Sequence, residues 1–226
     1  MLNLIRRPIS EELLTYKQLF DQTLTHDDKF MGQALAYIRN RSGKMMRPIL
    51  TLLIAREMGP ISNATQHCAI SLELLHTASL VHDDVVDEAG ERRGQASVNK
   101  TYDNKVAVLL GDYLLSLSLM QAAQGNSLEA VNVISKLGGT LSEGEIFQLN
   151  NIQSAEISEA AYFHIIERKT AALFEACTHL GALSAGAPAD YTELARKLGK
   201  LIGFCFQIRD DIFDFFTDKI GKPTGN

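Results

Sequence analysis

The sequence predicts an all-α fold, a helical bundle with a central cavity between its helices. Nearly every segment of the 226 residues repeats its apolar side chains with a period of about 3.6 residues, and no run of strands is convincing. Short breaks containing Gly, Pro, Asn or Ser separate these segments. No internal repeat, low-complexity tract or long linker divides the chain, so one domain over residues 1–226 is expected.

Capping residues and helix breakers bound the predicted helices. Ser10 is expected to cap the first helix, Pro48 to open the helix that stops at Gly59, and Ser62 or Asn63 to cap a long apolar helix. Glycines at 138, 139 and 144 inside a later helix indicate close helix contact or a kink. In order, helices are predicted at about residues 10–24, 28–40, 48–58, 63 to the turn at Gly90 and Gly94, 98–104, 105–123, 127–150, 158–185 and 190–217.

The composition limits the classes of partner. A net charge of −5 argues against a nucleic-acid partner, so an anionic ligand would have to be bound through local cations and metal ions. No apolar run reaches the roughly 18–20 residues of a membrane span, and the N-terminus lacks a signal-peptide core, so no transmembrane segment and a cytoplasmic location are predicted. Cys68, Cys177 and Cys205 are odd in number and lie in apolar segments, which predicts reduced core residues.

Three aspartates, Asp83, Asp84 and Asp87, are predicted at the end of the long apolar helix. Asp83 and Asp87 lie one helical turn apart with Asp84 beside them, so their charges repel one another unless a cation is present. A solvated acidic helix end is the simplest interpretation, but the preceding turns are almost wholly apolar and predict burial. Oxygen ligands without thiolates are typical of Mg²⁺, which often bridges to substrate phosphates. Arg92 and Arg93 would then face the other phosphate oxygens.

The same spacing recurs at Asp210, Asp211 and Asp214, inside another apolar helix. Two such clusters are hard to explain as surface charge. With both motifs in view, the chain resembles the trans-isoprenyl diphosphate synthases, or polyprenyl synthetases, in which two DDxxD motifs hold three Mg²⁺ ions around an allylic diphosphate. The resemblance covers nearly all of the chain and implies an isoprenoid-synthase-type bundle in which all six aspartates are metal ligands.

A basic loop before the helix at Pro48 carries Lys44 and Arg47, at a helix start where backbone N–H groups also favour an anion. Taken alone, this segment is more simply interpreted as a surface loop. The resemblance implies that Lys44, Arg47, His76 and Arg93 bind the diphosphate of isopentenyl diphosphate.

The resemblance also implies an allylic diphosphate site. Its contacts are expected from Arg92, Lys169, Thr170 and Gln207, with Lys169 at the reacting diphosphate, and Lys219 begins a further phosphate-facing segment. Taken alone, the segment around Lys169 could be a solvated helix stripe, but apolar sequence follows it at once. The implied reaction is chain elongation: the allylic C–O bond ionises, the isopentenyl double bond attacks, and loss of a proton gives a longer allylic diphosphate.

Product length is predicted from Ala78 and Ser79, which lie one turn before Asp83. Aromatic side chains here would form the floor of a tunnel for the growing chain, whereas alanine and serine leave it open. By resemblance, small residues here accompany products beyond geranylgeranyl, as in octaprenyl-type enzymes.

Two other functions compete with chain elongation as interpretations of the sequence. A class I terpene cyclase normally lacks the second DDxxD motif and needs no isopentenyl site. A non-catalytic subunit of a heteromeric prenyltransferase commonly loses one or both motifs. Family members are usually homodimers and usually continue past residue 226, so this chain is expected to lack the family's C-terminal helices.

Overall fold

The computed structural model describes residues 2–40, 43, 45–92, 94–152 and 158–216, and within these ranges the chain is almost entirely helical. This confirms the predicted all-α class. The helices are α1 (Leu2–Arg6), α2 (Ser10–Thr23), α3 (Lys29–Arg39), α4 (Met46–Met58), α5 (Asn63–Val86), α6 (Val98–Tyr102), α7 (Asn104–Gln124), α8 (Leu128–Ile152), α9 (Glu159–Ile166), α10 (Ala172–Ser184) and α11 (Ala189–Phe216).

Several helix starts are stabilised by side-chain caps. Ser62 and Thr65 form a reciprocal capping box at the start of α5, which confirms Ser62 as the cap, and Ser158 caps α9 by accepting a hydrogen bond from the N–H of Ala161. The prediction for Ser10 was wrong, because Ser10 is already the first residue of α2 and its side chain caps nothing. The predicted start at Pro48 was also late, since α4 begins at Met46 after Met45 adopts a left-handed conformation with φ of 54°.

Two local features were not predicted. A π-helical turn, Glu167–Ala171, separates α9 from α10, where the sequence predicted one uninterrupted helix. A short antiparallel hairpin pairs Glu91–Arg92 with Gln95–Ala96, and Gly94 turns the chain between them with φ of 75°.

Helix α5 is the centre of the bundle. One of its faces, with Ile70 and Leu74, packs in a core with residues of α2, α3, α4 and α7. Its other face, with Leu72 and Leu75, packs in a second core with α8 and α10. Each such fully buried leucine contributes about 2 kcal/mol of hydrophobic stabilisation. Burial on both faces holds the C-terminal end of α5, where the first aspartate cluster lies, in a fixed position.

Helix α11 lies very close to the π-helical turn. A Cβ atom added at Gly203 would lie 2.4 Å from the Cα of Ala171, closer than any real side chain approaches. Glycine at this position therefore allows the backbone of α11 to contact the turn. This contact brings the second aspartate cluster toward the residues of the turn.

The expectation that no apolar run is long enough for a membrane span does not hold for α7. Among the described residues, this one helix is long and apolar enough by length and composition, and 44% of its apolar window is buried inside the bundle. Leu110 and Leu114 of α7 are fully buried against α5, as in an ordinary core helix.

Cysteine placement differs in part from the prediction. Cys68 and Cys177 are buried, but Cys205 is exposed because it lies on the outer face of α11. Burial raises the pKa of both buried thiols to about 12.

Candidate active site

The first aspartate cluster lies at the C-terminal end of α5, and its three members have different surroundings. Asp83 lines a large cavity. The side chain of Asp84 is only 3% exposed and accepts a hydrogen bond of 2.6 Å from Arg92 Nε, so it fixes the hairpin that carries Arg92. Asp87 is the exposed C-cap of the helix. The three carboxylates thus differ in burial and in their neighbours.

Asp83 is partly buried among both acidic and basic neighbours. Burial first, and then the neighbouring Glu145 carboxylate, raise the pKa of Asp83 to about 6, although Lys169 and Arg92 act to lower it. A bound divalent cation would favour the ionised form of Asp83 and offset this cost.

Glu145 is an acidic residue of the site that the sequence analysis did not identify. Its side chain is 16% exposed, and its Oε2 atom lies 2.7 Å from Lys169 Nζ. Helix α8 can bring Glu145 this close because the preceding residue is glycine: a Cβ at Gly144 would lie 2.7 Å from the Cβ of Arg168. A close helix contact or a kink was predicted at Gly138, Gly139 and Gly144. The close contact is confirmed at Gly144, whereas a Cβ at Gly139 would meet no atom within 4 Å. Gly144 was therefore the one feature of the sequence that could have pointed to its neighbour Glu145.

The π-helical turn connects the two aspartate clusters. Lys169 lies on the side of Asp83, where it pairs with Glu145. The next residue, Thr170, faces α11 and donates a hydrogen bond of 2.7 Å to Gln207 Oε1. Consecutive residues of one turn therefore reach the first cluster and the helix of the second.

The second cluster lies near the end of α11. Asp210 pairs with Arg209 at 2.7 Å, and Asp214 is exposed one turn further along. Asp211 accepts two hydrogen bonds, from Gln207 Nε2 at 2.8 Å and from the Tyr162 hydroxyl at 2.6 Å. Tyr162 was not identified from the sequence. Its partial burial and its bond to Asp211 raise its pKa to about 12, so it remains a hydrogen-bond donor.

The donor set fits Mg²⁺ in its chemistry, because both clusters offer carboxylate oxygens and no thiolates. Among the described side chains, no three acidic, histidine or cysteine groups already converge on one point. Mg²⁺ usually takes only one or two carboxylates together with waters and phosphate oxygens. Carboxylates of either cluster could therefore hold Mg²⁺ together with waters and phosphate oxygens.

Two cavities lie on either side of the end of α5. The smaller, about 230 Å³, is lined by His76, Asp84 and Arg92 together with Gly43 of the basic loop. The larger, about 610 Å³, has Asp83, Glu145 and Lys169 among its polar lining residues. It also runs along the predicted chain-length positions, and its lining includes Leu75, Ala78, Ser79, Leu115, Leu119 and Ile134.

Arg47 is not among the residues that line the smaller cavity, and three other predicted site residues lie outside the described ranges. Arg47 is half-buried in the first turn of α4, and its charge acts on Cys177 of α10, where it opposes the rise in the thiol pKa. Lys44, Arg93 and Lys219 lie outside the described residues. Their expected roles stay predictions.

Comparison with known proteins gives the family. The polyprenyl synthetase family model matches residues 28–226. The chain belongs to the polyprenyl synthetase family. This confirms the resemblance carried by the two aspartate motifs.

Several polyprenyl synthetases are similar along most of this chain. Octaprenyl diphosphate synthase of Haemophilus influenzae is 37% identical over 90% of the chain, which covers 62% of that relative. Among solved structures, a geranylgeranyl pyrophosphate synthase from Bacteroides thetaiotaomicron is 49% identical, with a TM-score of 0.83 over 99% of this chain and 68% of that one. A decaprenyl diphosphate synthase from Rhodobacter capsulatus is 33% identical, with a TM-score of 0.93 over 100% of this chain and 70% of that one. This polyprenyl synthetase chain thus spans less than two thirds of the length of the first curated relative.

Proposed function

We propose that this chain carries the active site of a Mg²⁺-dependent trans-prenyltransferase, which condenses isopentenyl diphosphate with an allylic diphosphate to make a longer polyprenyl diphosphate. The observation that carries the proposal is the π-helical turn, whose Lys169 and Thr170 connect the two aspartate clusters beside a mainly apolar cavity. A diphosphate held at the turn would have its prenyl tail directed into that cavity. The names of the relatives, all prenyl diphosphate synthases, support the substrate class.

The two substrates are assigned to different residues around the end of α5. Lys169, in the larger cavity, supplies positive charge to the allylic diphosphate. Arg92 lines the smaller cavity, but its charge also acts on Asp83, so it is assigned to the allylic diphosphate as well, and the aspartate clusters supply the metal ligands. His76 and Arg47, with Lys44 and Arg93, are proposed to hold isopentenyl diphosphate. The smaller cavity beside His76 and Arg92 suits the shorter substrate.

The reaction breaks one bond and forms another. The allylic C–O bond ionises, the diphosphate leaves with its electron pair, and the isopentenyl double bond forms a C–C bond to the allylic carbon. The new cation then loses a proton to the departing diphosphate, so no nucleophilic side chain is needed. When bound, Mg²⁺ neutralises charge that develops on the diphosphate. The Lys169 ammonium stabilises the negative charge of the departing diphosphate. The apolar wall of the cavity excludes water from the allylic cation.

The product is proposed to be longer than geranylgeranyl. Ala78 is buried beside the large cavity, and Ser79 lines it one residue on. Among the described residues that line this cavity, none is a phenylalanine or a tyrosine. The relatives named above include geranylgeranyl, octaprenyl and decaprenyl enzymes, so family membership alone leaves the length open. The small residues at these two positions favour a long product.

Three finer features belong to the same proposal. We infer three Mg²⁺ ions when the allylic diphosphate is bound, a homodimer as the assembled form, and a cytoplasmic location. Similarity to the family supports the first two, and the third is inferred together with them.

The test is incubation of the protein with labelled isopentenyl diphosphate and farnesyl diphosphate, with and without Mg²⁺, followed by sizing of the products. Elongation that requires Mg²⁺ is expected. It should fall by about 100-fold or more in Asp83→Asn and Asp210→Asn. Asp190→Asn, an exposed position in the first turn of α11, serves as the matched control and should retain activity. Elongation that is absent, or that is indifferent to Mg²⁺, would contradict the proposal.

A further inference from the structure

We propose that Tyr162 is a positioning residue for the second aspartate cluster, acting through Asp211. The inference rests on the proposed function, because it concerns how that cluster is presented to metal ions and diphosphate. The Tyr162 hydroxyl donates a hydrogen bond of 2.6 Å to Asp211 Oδ2 across the gap between α9 and α11. The two residues are 49 positions apart in the chain.

Both oxygens of Asp211 are held from different directions. Gln207, one turn earlier on α11, donates to Oδ1 at 2.8 Å, while Tyr162 donates to Oδ2. Gln207 is itself fixed by the hydroxyl of Thr170 at 2.7 Å. A carboxylate with one donor on each oxygen loses its freedom to rotate, and its remaining lone pairs keep one direction.

Aromatic contacts hold the ring of Tyr162 in place. It makes an edge contact with Phe163 at 5.6 Å between ring centroids, and Phe163 in turn contacts Phe204 of α11 at 6.0 Å. These aromatic contacts join α9 to α11 independently of the hydroxyl. Removing only the hydroxyl should therefore leave the helix contact intact and release Asp211.

A purely structural hydrogen bond is the competing explanation. In that case loss of the hydroxyl would lower the stability of the α9–α11 contact slightly and leave metal binding unchanged. A positioning role predicts instead that loss of the hydroxyl mainly weakens metal binding, since groups that orient metal-binding carboxylates affect metal affinity by about 10–100-fold.

The first experiment measures Mn²⁺ binding by electron paramagnetic resonance in the presence of inorganic pyrophosphate. Tyr162→Phe is expected to weaken Mn²⁺ binding by about 10-fold. Tyr191→Phe makes the same chemical change at an exposed tyrosine near the other end of α11, and it should bind Mn²⁺ like the unmodified protein. Equal Mn²⁺ binding by Tyr162→Phe and the unmodified protein would overturn the role of Tyr162.

The same variants separate this inference from the proposed function. If the unmodified protein binds no Mn²⁺ with pyrophosphate, the metal site fails, and the proposed function and the role of Tyr162 fail together. In elongation assays, Tyr162→Phe should raise the Mg²⁺ concentration for half-maximal rate by about 10-fold while the KM for isopentenyl diphosphate changes by less than about twofold. A uniform rise in both constants would overturn the positioning role.

A double-mutant cycle tests the route through Asp211. If the hydroxyl acts only by holding that carboxylate, adding Tyr162→Phe to Asp211→Asn should weaken Mn²⁺ binding no further. Additive losses would show that Tyr162 acts independently of Asp211 and would overturn the inference.

Discussion

Lys169 Nζ lies 2.7 Å from Glu145 Oε2, so the cation proposed to meet the allylic diphosphate is paired with a carboxylate of the protein itself. Glu145 also acts on Asp83 and raises its pKa. One glutamate thus restrains the lysine and adds negative charge to the first aspartate cluster. An incoming diphosphate must compete with Glu145 for Lys169.

Glu145→Gln should make Lys169 more available to an anion. Without metal, the variant is expected to bind inorganic pyrophosphate about fivefold more tightly, because one partly buried ion pair of about 1 kcal/mol no longer competes. Isothermal titration calorimetry in the presence of a chelator measures this affinity. Glu143→Gln is the control, since Glu143 is exposed on the same helix and pairs with Arg168 instead. Unchanged or weaker pyrophosphate binding by Glu145→Gln would show that the pair does not restrain Lys169.

The stability of the metal-free protein should depend on pH through Asp83. Because the pKa of Asp83 is raised to about 6, the folded protein retains a proton that the unfolded chain has already lost. Its contribution to the free energy of unfolding is therefore greatest below about pH 4 and is lost as the pH rises through about 6. Asp83→Asn removes this dependence and should stabilise the metal-free protein by about 1 kcal/mol near pH 7.5, with no gain near pH 4.

Denaturant unfolding with a chelator at the two pH values measures the Asp83 effect. Asp190→Asn should show no comparable difference between them. A variant Asp83→Asn that is less stable than the unmodified protein near neutral pH would contradict a destabilising buried charge. Added Mg²⁺ with pyrophosphate should reverse the order, because only the unmodified carboxylate can bind the ion.

Sequence periodicity was sufficient for the helices but not for the π-helical turn. The segment from Tyr162 to Phe174 contains no glycine or proline, so an inserted residue that shifts the register of the helix leaves no break in the apolar pattern. The turn carries Lys169 and Thr170, which contact Glu145 and Gln207 respectively.

The two aspartate motifs were visible because each is local, with all three residues within five positions. Glu145 and Tyr162 were missed because their partners are distant in the chain. Lys169 lies 24 residues after Glu145, and Asp211 lies 49 residues after Tyr162. Only helix packing brings such pairs together, and a single sequence shows no signal for that packing beyond small residues such as Gly144.

Ala78→Phe should shorten the products without abolishing turnover. Ala78 is buried beside the large cavity, so a phenylalanine ring there would fill the space directly below Asp83. Product sizing after elongation of farnesyl diphosphate measures the change, and the rate of the first condensation should fall by less than about 10-fold because the diphosphate site is untouched. Ala123→Phe, exposed at the end of α7, is the control and should leave product length unchanged. Full-length products from Ala78→Phe would place the floor of the cavity elsewhere, beside Leu75 or Leu119.

Gly203→Ala should disturb the packing that joins α11 to the π-helical turn. Its Cβ would meet the backbone of Ala171 at 2.4 Å, and a backbone atom cannot move aside cheaply, so the variant is expected to lose about 1–3 kcal/mol of stability. Gly139→Ala is the control: a Cβ there has no atom within 4 Å, and alanine in the middle of α8 should stabilise the protein by about 0.5–1 kcal/mol. Thermal unfolding measures both changes.

The displaced α11 should also separate Gln207 from Thr170, so Gly203→Ala should weaken Mn²⁺ binding with pyrophosphate, whereas Gly139→Ala should not. Retention of full stability by Gly203→Ala would show that α11 can shift without cost, and the close contact would then be irrelevant to the second cluster.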